Sequence, residues 1–170
     1  MYKALLIRYH KPVVINYDQP WPQIFNHGYK KIAPGIKPAH FPKLRQGKNI
    51  VQAQICAFPE ALSSEDIISE LTRLRLQPAN AIEHFYLSQL NWQVPKFFNK
   101  KNFRLIALGQ VWSSHQGDKV IGAFCHYLLP TNGDAQQAPQ VEKTLALYNW
   151  ATPWQAHTLF LGITVGKNQS

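Results

Sequence analysis

Acidic residues are scarce: nine Asp and Glu stand against 18 Lys and Arg in 170 residues, a formal net charge of +9. Catalysis by paired carboxylates therefore has few candidates. Glu65, Asp66 and Glu70 share the start of an expected helix, where the helix dipole accounts for them, and Asp118 and Asp134 sit in turn-like contexts. Cysteine is rarer still. Cys56 and Cys125 are too few for a disulfide framework. Both lie in apolar strand-like runs, which reads as buried free thiols; one structural disulfide would require that they face each other. No apolar stretch approaches the roughly 18–20 residues needed to cross a bilayer. The N-terminal apolar run is broken by Arg8, His10 and Lys11 and lacks a small-residue cleavage site. The expectation is a cytoplasmic protein with no transmembrane segment.

Several catalytic signatures are also missing. There is no CxxC, no GxSxG elbow, and no GxxxxGK[ST] or GxGxxG phosphate loop. The seven histidines (His10, His27, His40, His84, His115, His126, His157) contain no i, i+4 pair. A metal site would have to be assembled from distant residues. Cys125 and His126 are neighbours on an expected strand, so they point to opposite faces and cannot act as nucleophile and base together. Ser113-Ser114-His115 lacks the elbow that would activate a hydroxyl. No cofactor, catalytic residue or metal ligand is assigned.

What the chain does have is a lopsided charge. Residues 1–59 hold nine Lys and Arg against one acid, Asp18, a net +8; residues 60–170 hold nine against eight, a net +1. Such asymmetry marks a basic surface for an anionic partner. The hydrophobic fraction of 45% and charged fraction of 16% are those of a folded chain, and its length suits one domain spanning 1–170.

Residues 2–8 and 12–17 read as short strands or one interrupted strand. Residues 18–49 carry Pro20, Pro22, Pro34, Pro38 and Pro42 with Gly28, Gly35 and Gly47, which predicts an irregular basic arm without long regular elements. Its aromatics Trp21, Phe25, Tyr29 and Phe41 either pin the arm to the body or order only on a partner. Residues 50–57 alternate, with Ile50, Gln52, Gln54 and Cys56 on one face and Val51, Ala53, Ile55 and Ala57 on the other: a strand with one wet face. Ser63 or Ser64 caps a helix over about 64–75, and Asn80 caps a second over about 80–90. Further strands are expected at 104–112, 119–129, 142–150 and 158–165, with a turn-rich loop at 130–140 around Asn132-Gly133. The order of elements predicts an α+β fold with a mainly antiparallel sheet.

Four stretches recur in order: His40-Phe41-Pro42, Ser63-Ser64-Glu65-Asp66, Gln77-Pro78-Ala79-Asn80 with Glu83, and Ala107-Leu108-Gly109-Gln110-Val111-Trp112. Over residues 40–112 the chain resembles a family of uncharacterised bacterial proteins. That resemblance implies no activity and transfers no site residue. Leu76 to Asn80 with Glu83, and Val111-Trp112-Ser113-Ser114, also resemble C-type-lectin-like domains. The chain carries no EPN- or QPD-type calcium tripeptide, and its nearest counterpart to a WND element is Tyr148-Asn149-Trp150. This second resemblance therefore implies a fold rather than calcium-dependent sugar binding.

The candidate binding residues are basic and aromatic. Lys96, Phe97, Phe98, Lys100, Lys101 and Arg104 interleave cations with rings, and the arm adds Lys30, Lys31, Lys43, Arg45 and Lys48. Cations that track phosphates beside rings that stack on bases hold single-stranded nucleic acid, at about 1–3 kcal/mol per stacked base. The competing reading is a connection whose phenylalanines enter the core while its lysines are solvated. The leading expectation is a non-enzymatic binding protein whose partner is nucleic acid or an acidic protein surface. One alternative is a lectin-like or protein-interaction module using the 113–119 and 130–140 loops with Trp112, Trp150 and Trp154 as anchors. The other is an enzyme built on distant histidines, with or without a metal.

Overall fold

The alternation at 50–57 becomes the organising strand of the molecule. The structure is a computed structural model that describes residues 4–9, 11–29, 31–87, 90, 104–113, 119–128, 141–156 and 158–165. The fold is α+β and mainly antiparallel. Strand β4 (Lys48–Ala57) pairs antiparallel with β1 (Leu5–Arg8) and β2 (Val13–Asn16) on one side and with β10 (Leu159–Val165) on the other. β1 meets β4 at 54–57 and β2 meets it at 48–51, so these two are an interrupted edge strand. Beyond β10 lie two short pieces, β5 (Gln77–Pro78, antiparallel) and β6 (Leu105–Ile106, parallel). A second sheet runs β3 (Lys31–Ile32), β9 (Val141–Asn149), β8 (Lys119–Leu128), β7 (Val111–Ser113), with β3 parallel to β9.

Side-chain alternation gives the first sheet two apolar faces. Val51, Ala53, Ile55 and Ala57 of β4 and Leu159, Leu161 and Ile163 of β10 are fully buried on the inner face. Helices α1 (Trp21–Gly28) and α3 (Ala81–Leu87) supply Ile24, Phe25, Ile82 and Phe85 to the same core. On the outer face, α2 (Ser64–Arg73) places Ile67 and Leu71 over Cys56 and Phe160. Burial pushes the free Cys56 thiol up to about 12, which keeps it protonated and inert. The α2 cap is the expected one: Ser63 Oγ accepts the Asp66 amide at 3.1 Å. The helix stops at Arg73, and Arg75 adopts φ 59°, a left-handed turn closed by the Leu76 amide on the Leu71 carbonyl at 2.8 Å.

The arm is more regular than its prolines predict. Pro22 falls in the first turn of α1, where a missing amide hydrogen costs nothing, so the helix forms with the proline in place. Trp21, Phe25 and Phe41 then form a ring cluster with centroids 5.5–5.9 Å apart. With Tyr29 they are buried in the inner core, which settles the two arrangements left open by the sequence: the arm is packed, not a tether. Each fully buried ring of this kind contributes roughly 1.5–3 kcal/mol.

The second helix is described over Ala81–Leu87. One other expectation is corrected. The run 104–112 is not one strand; β6 belongs to the first sheet and β7 to the second. The break lies at Gly109, whose amide donates to the Ala79 carbonyl at 2.9 Å while the chain presses on Pro78 and Ala79. The turn-rich loop expected at 130–140 and the connection 91–103 lie outside the described residues.

A Cβ at Gly109 would stand 2.6 Å from the Pro78 oxygen and 2.7 Å from the Ala79 oxygen, both backbone atoms that cannot swing away. Gly109→Ala is expected to destabilise the protein by about 1–3 kcal/mol, as overpacking does. Urea denaturation checks this; a variant with an unchanged midpoint would show that the contact is not tight.

Candidate functional site

The stretches around Phe41, Asn80 and Gly109 converge at the start of α3. Asn80 Oδ1 accepts the Glu83 amide at 3.0 Å, and Glu83 Oε2 accepts the Asn80 amide at 2.7 Å, a reciprocal capping box. The other Glu83 oxygen accepts the Tyr17 hydroxyl at 2.7 Å and pairs with the Arg45 guanidinium. Arg45 also donates to Gln77 and stands 5.7 Å from the Tyr17 ring centre. Gln110 bridges two of these stretches: its amide oxygen accepts the Ala81 amide at 3.1 Å and its nitrogen donates to the Pro42 carbonyl at 2.7 Å. Beside this cluster Tyr29 stacks on His84 and its hydroxyl lies 3.2 Å from Nδ1.

Glu83 is 1% exposed. Burial pushes its carboxyl above the usual range, while the Tyr17 hydroxyl, the Asn80 amide and Arg45 pull it back. Burial, reinforced by the Glu83 charge, also raises the Tyr17 phenol, so Tyr17 stays a donor. The cluster thus has the chemistry of a structural seam: one carboxylate with its acceptor positions filled by groups from the residue after β2, the arm and the cap of α3. Among the described residues no three His, Cys, Asp or Glu side chains converge as a metal site would require.

A different surface offers an open site. On the outer face of the first sheet α2 covers the end that holds Leu6, Cys56 and Phe160. The remaining half is exposed. Val14 and Ile50 are register partners there, 56% and 53% exposed, and Gln52 and Thr164 form the next exposed pair. Lys48 pairs with Asn16 at one end of this strip and Arg8 with Gln54 at the other, and both cations are exposed. Lys11, also exposed, joins β1 to β2. No acidic residue occupies a register position of this face.

Among the described residues, the expected binding residues do not form one patch. Lys48 lies on this face. Lys43 is exposed and donates to the Asp18 carbonyl at 3.0 Å; Asp18 Oδ1 in turn accepts the Gly47 amide at 3.1 Å, so Lys43 reaches the turn beside Lys48. Arg45 is paired with Glu83, with its side chain 27% exposed. Lys31 is exposed on β3, in the other sheet. Arg104 stands over the Tyr148 ring at 5.7 Å. Lys30, Lys96, Phe97, Phe98, Lys100 and Lys101 lie outside the described residues. Of the tryptophan anchors, Trp154 is 6% exposed and donates to Ser64 Oγ at 3.0 Å, a core position, and Trp150 is half-buried with its indole on Glu65. Compared with protein families, with curated proteins and with solved structures, the chain matches none.

Sequence reasoning found the wet face of β4, Ile50 included, but missed Arg8, Lys11 and Val14 as its exposed neighbours. The available signal was Ile50, an apolar residue in phase with Gln52 and Gln54 rather than with Val51 and Ala53.

The Arg45–Glu83 pair predicts a pH effect with a definite sign. Loss of Arg45 leaves a buried carboxylate without its countercharge, so the folded-state pKa rises further above the unfolded one, and stability falls as pH climbs through that window. Arg45→Met is expected to be less stable than the parent by about 3 kcal/mol at neutral pH, the lower end for a broken buried pair because Arg45 is 27% exposed. The deficit should shrink as pH falls into the ordinary carboxylate range. A deficit in urea midpoint that is the same at acid and neutral pH would contradict the pairing.

Proposed function

We propose that the protein is a non-enzymatic binding protein of the cytoplasm that holds a single-stranded nucleic acid across the open half of its six-stranded sheet. One observation carries this reading: a solvent-facing strip of β-sheet bears cations at both ends, apolar and amide side chains between them, and no acid. The spacing suits the ligand. Lys48 and Arg8 would neutralise backbone phosphates while the Val14–Ile50 pair supports bases or sugars and Gln52 and Gln54 offer donors and acceptors. Lys43 and Lys11 extend the same charge along the rim. The exposed Val14–Ile50 pair also favours a second reading, an acidic protein surface seated on the same face, because such a surface would use the apolar pair as its dry centre.

The resemblance of residues 40–112 to uncharacterised bacterial proteins is retained as a proposal about ancestry. Its support is that the stretches around Phe41, Asn80 and Gly109 meet in one hydrogen-bonded cluster. A scaffold role for that cluster leaves function to the sheet face.

The test is fluorescence anisotropy with a labelled single-stranded oligonucleotide at two salt concentrations. Binding is expected at low salt and should weaken with a slope that falls by about 0.7 for each phosphate-contacting cation removed, as counterion release requires for single strands. The Arg8→Glu, Lys48→Glu double variant should bind at least about tenfold more weakly, since it reverses both end charges. Absence of binding at low salt, or binding that the double variant leaves unchanged, would overturn the nucleic-acid reading. Binding of poly-glutamate without binding of any oligonucleotide would favour the acidic partner.

A further inference from the structure

A cavity of about 150 Å³ lies between the end of β9 and the start of β10, lined among others by Arg104, Tyr148, Asn149, Thr152, Gln155 and Thr158. It is separate from the open sheet face, because it sits at the opposite end of β10 from Thr164. Its walls are built rather than incidental. Trp154 forms the aromatic back: its backbone pairs with Leu62 at 3.1 and 2.8 Å, and its ring packs 5.4 Å from Tyr148 and 5.7 Å from Phe160. On the opposite rim the chain is turned by the Ala151 amide on Asn149 Oδ1 at 2.8 Å and by Thr158 Oγ1, which donates to the Gln155 carbonyl at 2.7 Å. The Leu159 amide on the Arg104 carbonyl at 3.2 Å sets Arg104 at the mouth.

Among the described residues Arg104 is the one charged side chain of this lining, and no described carboxylate lines it. Its guanidinium lies 5.7 Å from the centre of the Tyr148 ring, a cation–π contact that orients the planar fork while leaving its edge donors free to turn to a ligand. The lining is mixed, with rings behind and amides and hydroxyls at the rim, which suits a ligand that is apolar at one end and anionic at the other. Its volume of about 150 Å³ is enough for one benzene ring.

We propose that this cavity is a binding site for a small planar anion: one ring that packs beside Tyr148, in front of the buried Trp154, and carries a carboxylate or phosphate held bidentately by Arg104. Gln155 and Thr158 line the same rim and set the orientation of the ring substituents. The site is independent of the nucleic-acid reading, which rests on the far end of the sheet.

The probes are benzoate and phenyl phosphate, with neutral benzamide as the matched control, titrated into the full chain and followed by two-dimensional NMR. Saturable shifts are expected at the Gln155 and Thr158 amides. Benzamide should bind at least about tenfold more weakly than benzoate, and Arg104→Gln should weaken benzoate by a similar factor, since each removes one side of a charge-assisted pair. Arg104→Lys should recover part of the loss because it restores the charge without the fork. Arg104 is exposed, so these variants are expected to retain the fold, which their amide spectra check. Lys48→Glu should leave benzoate binding unchanged, which separates this site from the sheet face. Shifts that fail to saturate by about 20 mM, the range of the weakest specific complexes, would overturn the proposal. So would equal binding of benzamide, or benzoate binding that Arg104→Gln leaves intact.

Discussion

One buried carboxylate organises the basic third of this chain. Glu83 sits in the first turn of α3, almost without solvent, and accepts from the Tyr17 hydroxyl, the Asn80 amide and Arg45. An isolated carboxylate in such a place would be prohibitively costly, and only filled acceptor positions and a countercharge make it tolerable. Each donor comes from a different part of the chain. Tyr17 follows β2, Arg45 precedes β4, and Asn80 follows β5. Satisfying one charge therefore fixes where the arm returns to the sheet. The ring cluster of Trp21, Phe25 and Phe41 then has a surface to pack on.

That constraint changes the meaning of the charge asymmetry. The +8 of the first 59 residues is not a free polybasic tail. Arg45 is committed to the interior, and Lys43 is tied to the turn at Asp18. Among the described residues exposed cations are distributed: Arg8, Lys11 and Lys48 around the open half of the first sheet, Lys31 on the second sheet, Lys37 in the arm, and Arg104 beside a cavity. These positions keep the two proposed sites apart, where the sequence alone reads as one basic surface.

Much of the scaffold was legible because its signals are local. The alternation of β4, the Ser63 cap of α2 and the Asn80 cap of α3 depend on residues a few positions apart, and each appears where expected. The wet face of β4 was readable from Gln52 and Gln54. The failures have physical causes of another kind. The prolines of 18–49 speak against long elements but do not locate α1, a short helix that admits Pro22 in its first turn. The run 104–112 looks like a strand in composition, but Gly109 folds against Pro78 and Ala79, a contact between residues thirty positions apart that no local pattern carries. Arg45 looked like a phosphate contact because its partner, Glu83, lies 38 positions away. The cavity at Arg104 is assembled from the segment before β6, the end of β9 and the turn before β10, and its aromatic floor has no spacing signature at all.

The central claim is that the proline-rich arm is an integral part of the core, locked there through Glu83. Native-state hydrogen exchange at low denaturant reads this directly, because a segment that opens by itself exchanges without waiting for the sheet to unfold. The account predicts that the amides of α1, at Ile24 and Phe25, exchange with the same free energy and the same denaturant dependence as those of Ile55 and Leu161 at the centre of the sheet. Exchange of the α1 amides by a low-energy opening, while Ile55 and Leu161 stay protected, would contradict it.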